Sequence, residues 1–214
     1  VDGVVPFEKH VAIFGREGGV TQMWIADAQS GTKGLATWKK VSWPEKVFSV
    51  YGSANKVFSS EKIRITYTSL ISPSQTIDYD MKSGKMAVLK EKEVPLYNKE
   101  EFACMRLEAP SRDGKTKIPI SIVYRKDLVI ESDEEKGVLK FAEPLPIVMT
   151  GYGSYGMSHD PGFSFLKVPL LERGVAFAVA HIRGGGEMGY WWYEDEGKYL
   201  QKQNTFSDFA DCAK

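Results

Sequence analysis

Residues 145–189 read LPIVMTGYGSYGMSHDPGFSFLKVPLLERGVAFAVAHIRGGGEMG. An apolar run, PIVMT (146–150), breaks into the glycine-rich turn GYGSYG (151–156). The amphipathic stretch SFLKVPLLERG (164–174) follows, and then a second apolar run, VAFAVAHI (175–182), breaks into RGGGEMG (183–189). Apolar run, crossover and apolar run is the pattern of parallel strands buried on both faces of an α/β sheet. Ligands and chemistry in such sheets collect where strands end. Both glycine clusters fall at expected strand carboxyl ends.

Upstream, 102–109 and 117–125 read as two longer strands joined by PSRDGKTK, with Asp113-Gly114 at the hairpin turn. An antiparallel hairpin feeding a parallel sheet is the usual opening of an α/β-hydrolase domain. Between hairpin and sheet, KDLVIESDEEKGVLKFAE (126–143) is a charged excursion whose acidic centre, ESDEEK, reads as a solvated loop. After Gly189, NTFSDFADCAK (204–214) opens a helix, with Asn204 as a plausible N-cap and Asp208 in the first turn.

Residues 1–92 have a different texture. HVAIFGRE, TQMWIADA, KVFSVYG, KVFSS, IRITYTSL, TIDYDM and KMAVLKE are short runs rich in β-branched and aromatic residues. Turn-forming clusters separate them: GG, SGTKG, GSANK, SPSQ and KSGK. Lys82-Ser83-Gly84 has hairpin logic. Strands at this density suggest a sandwich or a β-propeller, and a blade of about 40–50 residues would fit roughly twice. VPLYNKEEF (94–102) then shifts to proline and charge, as a linker does. The expected fold is therefore the last blades of an all-β propeller (1–95) followed by the first half of an α/β-hydrolase domain (96–214). Val1 enters a strand-rich pattern abruptly and the final helix stops while its apolar face is still growing, so the chain is expected to be a fragment.

Composition narrows the function classes. Lys plus Arg and Asp plus Glu each number 28, so the formal net charge is zero. Nucleic acids and anionic membrane surfaces attract basic patches, so neither is an expected partner. The longest apolar windows are too short to span a bilayer, and no apolar h-region opens the chain. The two cysteines fit a reduced, cytoplasmic protein. His10, His159 and His181 share no metal-ligand spacing with one another or with the cysteines, and neither a metal nor another cofactor is expected.

The glycine turns offer chemistry and traps together. Ser154 and Ser158 each miss the G-x-S-x-G nucleophile pattern, at Tyr152 and at Asp160 respectively. Ser158, His159 and Asp160 are consecutive, whereas a triad needs members that converge in space. Tyr152 lies between two glycines at the end of the presumed third strand, where α/β-hydrolases draw one oxyanion donor. A tyrosine hydroxyl can fill that role; the alternative is a tyrosine packed on a glycine turn. RGGGEMG matches G-x-G-x-x-G formally, but Trp191, Trp192 and Tyr193 stand where a small-residue helix should begin. A tight turn with Arg183 and Glu187 in structural ion pairs fits better than a dinucleotide site, and His181 reads as a satisfied core histidine.

YGSYG, the run F-S-F-L…L-L-E-R-G, AHIRGGGE-x-G, W-Y-E-x-x-G-K and K-x-N-T-F-x-D-F, in this order and spacing, closely resemble the prolyl oligopeptidase family of serine peptidases, and within it the oligopeptidase B branch. YTSLISPSQTIDYDMKSGKMAVLKEKEVP and RDGKTKIPISIVYRKD are similar to that branch's last propeller region and first hydrolase strands. The resemblance implies a propeller capping an α/β-hydrolase, a Ser-Asp-His triad, and cleavage of short peptides, in this branch after Arg or Lys. It places Tyr152 on the oxyanion tyrosine, Tyr155 on an aromatic of the S1 region, and Asp160 on the first of two acids for a basic P2 residue. Gly162 replaces the second acid. The family's triad and its S1 carboxylates fall after Lys214, so the chain alone is expected to be inactive. A related exopeptidase or esterase on the same fold, and a non-catalytic propeller-hydrolase binding protein, are the other readings.

Overall fold

The computed structural model describes residues 1–29, 37–133 and 135–214. Two antiparallel four-stranded meanders come first. One contains β1 (Gly3–Pro6), β2 (His10–Glu17), β3 (Val20–Asp27) and β4 (Lys39–Lys40); the other contains β5 (Phe48–Gly52), β6 (Lys62–Ser69), β7 (Gln75–Asp80) and β8 (Met86–Glu91). Alternation decides which way each strand faces. In β6, Ile63, Ile65, Tyr67 and Ser69 point inward while Lys62 and Arg64 point to solvent. The inward side chains of both sheets meet in one core that includes Phe7, Phe14, Met23, Ile25, Val50, Ile63, Ile65, Tyr67 and Ile77. Each of these large apolar side chains contributes roughly 1.5–3 kcal/mol on leaving water. The β7–β8 turn falls at the expected Lys82-Ser83-Gly84, with Gly84 at φ +74. The expected SGTKG turn (30–34) lies outside the described residues.

KVFSS (56–60) is not a strand. Val57 and Phe58 are exposed, and Ser60 N–H closes a local turn on the Val57 carbonyl at 3.2 Å. The position beside β6 is taken instead by the Asn55 amide. Its oxygen accepts from Arg64 N–H at 2.8 Å, and its nitrogen donates to the Arg64 carbonyl at 2.9 Å. Side-chain pairing of this kind competes directly with a ladder.

The second part is built on β9 (Phe102–Pro110), β10 (Lys117–Arg125), β13 (Ile147–Thr150) and β14 (Ala176–Ala180), in the order β13-β14-β10-β9. β9 and β10 form the expected antiparallel hairpin, with Gly114 at φ +70 in its turn. β13 and β14 run parallel, joined through the short helix α1 (Val168–Leu171). β14 is buried along its whole length. β13, expected to be buried on both faces, is instead the outermost strand among the described residues, and Ile147 and Val148 are exposed. The charged excursion is also more ordered than expected. β11 (Val129–Asp133) pairs with β12 (Val138–Phe141), so ESDEEK begins as a strand rather than a loop, although its described side chains remain solvated.

One face of this sheet packs Met105, Ile120, Ile122, Tyr124 and Ala178 against the β11–β12 hairpin. The other face turns Phe102, Val123 and Phe177 toward Val47, Leu70 and Ile71 from the first part of the chain. The two halves therefore share an apolar contact. Among the described residues no helix is long and apolar enough to cross a membrane.

Candidate active site

The two glycine turns pack backbone to backbone. Gly153 adopts φ +60, and a Cβ there would stand 2.6 Å from both Ile182 Cγ1 and Thr205 Cγ2. A Cβ on Gly184, at φ +102, would stand 2.1 Å from the Gly153 carbonyl oxygen. Only glycine tolerates both the conformation and the approach. The Gly156 N–H donates to the Gly184 carbonyl at 3.0 Å and completes the seam. Three of the glycine-loop amides are spent within the turn: Gly184 N–H bonds the Trp192 carbonyl, Gly185 N–H the Ile182 carbonyl and Gly189 N–H the Gly186 carbonyl. They do not form the open phosphate cradle that a dinucleotide site requires.

Tyr152 rises from this seam at the carboxyl end of β13, with 49% of its surface exposed. Behind it, Lys202 Nζ donates to the Gly153 carbonyl at 2.5 Å and sits 2.8 Å from Ser154 Oγ. Thr205 Oγ1 reaches the same carbonyl at 3.3 Å and donates to the Arg183 carbonyl at 2.7 Å. Burial lowers the Lys202 pKa below its ordinary value. Tyr155, at φ +58 and 77% exposed, stands on the same turn. Ser154 thus faces a lysine, and among the described residues no hydrogen bond joins it or Ser158 to an imidazole.

Arg183 is the anchor of the region. Its side chain is 2% exposed, and it donates through Nε and Nη2 to the two oxygens of Asp208, which is wholly buried, at 2.8 and 2.6 Å. Nη1 reaches Asp113 at 2.7 Å and Glu196 at 3.2 Å, and Nη2 also reaches Ser111 at 3.0 Å. The pair ties the β9–β10 turn and the glycine seam to helix α3 (Gln203–Cys212), which follows the short helix α2 (Trp191–Glu194). Asp208 therefore sits inside that helix as an ion-pair partner, not in its first turn. Nor is Asn204 the N-cap: the helix starts after Lys202 without a side-chain cap, and the Asn204 amide donates instead to the Glu196 carbonyl at 3.0 Å.

His181 is fully buried, as expected, but only one ring nitrogen is satisfied. Nε2 is 2.8 Å from Ser121 Oγ, which also accepts from Arg106 at 3.0 Å. Among the described residues Nδ1 has no hydrogen-bond partner, and it lies 3.8 Å from buried Glu187. Burial, aided by the Arg106 charge, lowers the His181 pKa despite that carboxylate. Glu187 accepts from His159 N–H at 2.8 Å and so holds the segment leading to Asp160.

Asp160 turns toward the first part of the chain. Arg16 of β2 grips it bidentately, Nη1 to Oδ1 at 2.5 Å and Nη2 to Oδ2 at 2.8 Å. The Tyr51 hydroxyl of β5 donates to Oδ2 at 2.8 Å. Burial pushes the Asp160 carboxyl upward, but Arg16 and Tyr51 outweigh it and the pKa falls below 3.8. Burial and the Asp160 charge push Tyr51 up to about 12. A second bond across the halves runs from Arg106 Nη2 to the Gly18 carbonyl at 2.9 Å. Between them lies a cavity of about 440 Å³ lined by Asp2, Arg16, Gly156, Ser158, Glu187 and Tyr190, among others.

Sequence reading locates Tyr152, Tyr155 and Asp160 on one loop, and the structure keeps the two tyrosines on its exposed turn. Sequence patterns do not single out Arg16, Tyr51 or Lys202. They come from segments 144, 109 and 49 residues away from their partners, and no local pattern announces such a contact. Among the described residues no group of three or more His, Cys, Asp or Glu side chains is gathered to hold a metal.

Comparison with known proteins bears on this geometry. Residues 1–92 match the model for the prolyl oligopeptidase N-terminal β-propeller domain, and residues 161–214 match that of the prolyl oligopeptidase family. Dipeptidyl aminopeptidase BI of Pseudoxanthomonas mexicana is 45% identical over 167 residues, which are 78% of this chain and 21% of that protein. Protease 2 of Moraxella lacunata is 35% identical over 98% of this chain and 28% of its own length. Oligopeptidase B from Trypanosoma brucei, in a closed form with covalently bound antipain, superposes with a TM-score of 0.81 at 37% identity, over 99% of this chain and 29% of its own. The 214 residues thus span between about a fifth and three tenths of these relatives.

Proposed function

Because the chain belongs to the prolyl oligopeptidase family, we propose that it is part of a serine peptidase that hydrolyses short peptides, preferring Arg or Lys at P1. The observation that carries this is Tyr152, half exposed at a strand's carboxyl end between two glycines whose backbone is locked in place. When a serine oxygen attacks a peptide carbonyl, negative charge gathers on the carbonyl oxygen and the departing amine takes a proton from histidine. A donor already fixed in position stabilises that charge without reorganising. The Tyr152 hydroxyl is assigned this task, with the Ser-Asp-His triad assigned to residues beyond these 214. Tyr155 is assigned to the S1 region and Asp160 to a basic P2 residue. Asp160 is already held by Arg16 and Tyr51, so a P2 cation has to share or displace them.

The division of the protein is drawn at 95/96. Its support is that, among the described residues, strands up to Glu91 pair only among themselves, as do those from Phe102 onward. A cytoplasmic location rests on the low cysteine content, two in 214 residues.

In the full-length enzyme, Tyr152→Phe keeps the ring and removes one hydroxyl. kcat should fall about 10²–10³-fold with KM nearly unchanged, and the melting temperature should hold. A kcat within about threefold of wild type, worth well under 1 kcal/mol, would remove the assignment. Removal of dipeptides from a free amino terminus is the second reading, supported by the 45% identity to a protein named a dipeptidyl aminopeptidase. Substrates with acylated and free amino termini separate the two, because an aminopeptidase needs the free amine.

A further inference from the structure

We infer that Lys202 is a positioning residue for Tyr152: its ammonium pins the Gly153 carbonyl and so fixes the direction in which the oxyanion tyrosine projects. The inference rests on the oxyanion assignment above and adds the device that holds the donor still.

The turn on which Tyr152 stands is fastened on both sides. On the amino-terminal side, a Cβ on Gly151 would meet the Ala180 carbonyl at 2.9 Å and Phe209 at 3.2 Å, so this backbone lies flat on β14 and α3. On the carboxyl-terminal side the Gly153 carbonyl points inward and needs donors, because an unpaired buried carbonyl costs free energy. Lys202 Nζ supplies the donor at 2.5 Å; Thr205 Oγ1 also lies 3.3 Å away, but its single proton goes to the Arg183 carbonyl at 2.7 Å. The same ammonium also holds Ser154 Oγ at 2.8 Å, so it grips the two residues that follow Tyr152.

Lys202 makes no ion pair among the described residues; its ammonium also lies over the face of Phe206, 5.8 Å from the ring centre. A lysine placed only for surface solubility would extend into water, where its charge is better solvated. This one turns inward, accepts a lowered basicity from burial, and spends its charge on a single loop. A charged donor makes a stronger hydrogen bond than a neutral one, and the Tyr152 hydroxyl has to be right to a fraction of an ångström for its bond to strengthen in the transition state.

The test uses full-length enzyme and steady-state kinetics on a short Arg-containing peptide. Lys202→Met should lower kcat about tenfold with KM within about twofold. Lys202→Arg, which restores a charged donor, should recover kcat to within about threefold of wild type. The deciding measurement is a double-mutant cycle. On a Tyr152→Phe background there is no hydroxyl left to aim, so Lys202→Met should cost less than about twofold. Lys202→Ala removes the same donor without placing an apolar chain at the site, and should show a similar kcat loss with the same dependence on Tyr152. If Lys202→Met does not fold, Lys202→Ala decides, and a kcat unchanged in that variant overturns the proposal. A kcat unchanged in a folded Lys202→Met overturns it too. So does a tenfold loss that persists on the Tyr152→Phe background; there a large effect of Tyr152→Phe alone leaves the oxyanion assignment standing. Wild-type kcat in Tyr152→Phe alone overturns both.

Discussion

Removing the Arg183 side chain should destabilise the hydrolase part more than any exposed ion-pair change. In Arg183→Met the Asp208 carboxylate, with no solvent exposure of its own, loses its charged donors at 2.6 and 2.8 Å. Ser111 Oγ remains at 3.3 Å and the Arg183 backbone N–H at 3.1 Å, too little to satisfy a buried charge. Breaking one side of a buried pair typically costs about 3–5 kcal/mol. The Arg183→Met/Asp208→Leu double variant removes both charges, and it should be more stable than Arg183→Met, because the desolvation of both charges vanishes together. Lys140→Met is the control: its pair with Glu131 is 60% and 53% exposed, so it should leave stability where it is. Urea unfolding of the full-length protein, followed by tryptophan fluorescence, reads these differences. Trp192 is a suitable reporter, since it is buried and donates to the His181 carbonyl at 3.1 Å. A shift below about 1 kcal/mol for Arg183→Met would refute a buried-charge origin for the anchor, as would a double variant less stable than Arg183→Met.

Two further outcomes follow from the buried ionisable groups. Arg16→Met frees Asp160 Oδ1 and leaves Oδ2 with the Tyr51 hydroxyl alone, so the preference for Arg over Ala at P2 should rise by at least about tenfold, a charged hydrogen bond being worth about 1.5–3 kcal/mol. Asp160→Asn should abolish the gain, and equal effects on both substrates would reduce Asp160 to a domain contact. His181 is held neutral, with its folded pKa below 6.5. As pH falls below 6.5 the unfolded chain takes up that proton before the folded one does, so stability should fall with it. Asp160, with its pKa below 3.8, contributes stability above that value and loses it only further down. Urea midpoints between about pH 8 and 5 should therefore decline in wild type and flatten in His181→Gln; an unchanged slope in the variant refutes the assignment.

Strand identity was legible in the chain because it is local. A strand buried on one face alternates, as β6 does, and one buried on both faces is continuous, as β14 is. Asp113-Gly114 and Lys82-Ser83-Gly84 marked their hairpins because positive φ is available cheaply only to a few residues. Tyr152 could be placed at the end of its strand for the same reason. KVFSS carried a strand's composition and failed, because Asn55 took the ladder position that composition cannot see. Asn204 had the chemistry of a cap, yet it went to the Glu196 carbonyl instead.

The partners of the site residues were decided in three dimensions. Arg16 and Asp160 lie 144 residues apart, and nothing in either neighbourhood distinguishes them from other surface charges. They meet because Val47, Leu70 and Ile71 pack on Phe102, Val123 and Phe177, which brings β2 against the loop after β13. Lys202 likewise became a clamp because α3 folds back over the glycine seam, where a Cβ on Gly184 would strike the Gly153 carbonyl. Periodicity and turn chemistry fix what each segment becomes, since those forces act over a few residues. Which charges end up sharing a desolvated space depends on how finished sheets stack, and that is a property of the folded whole.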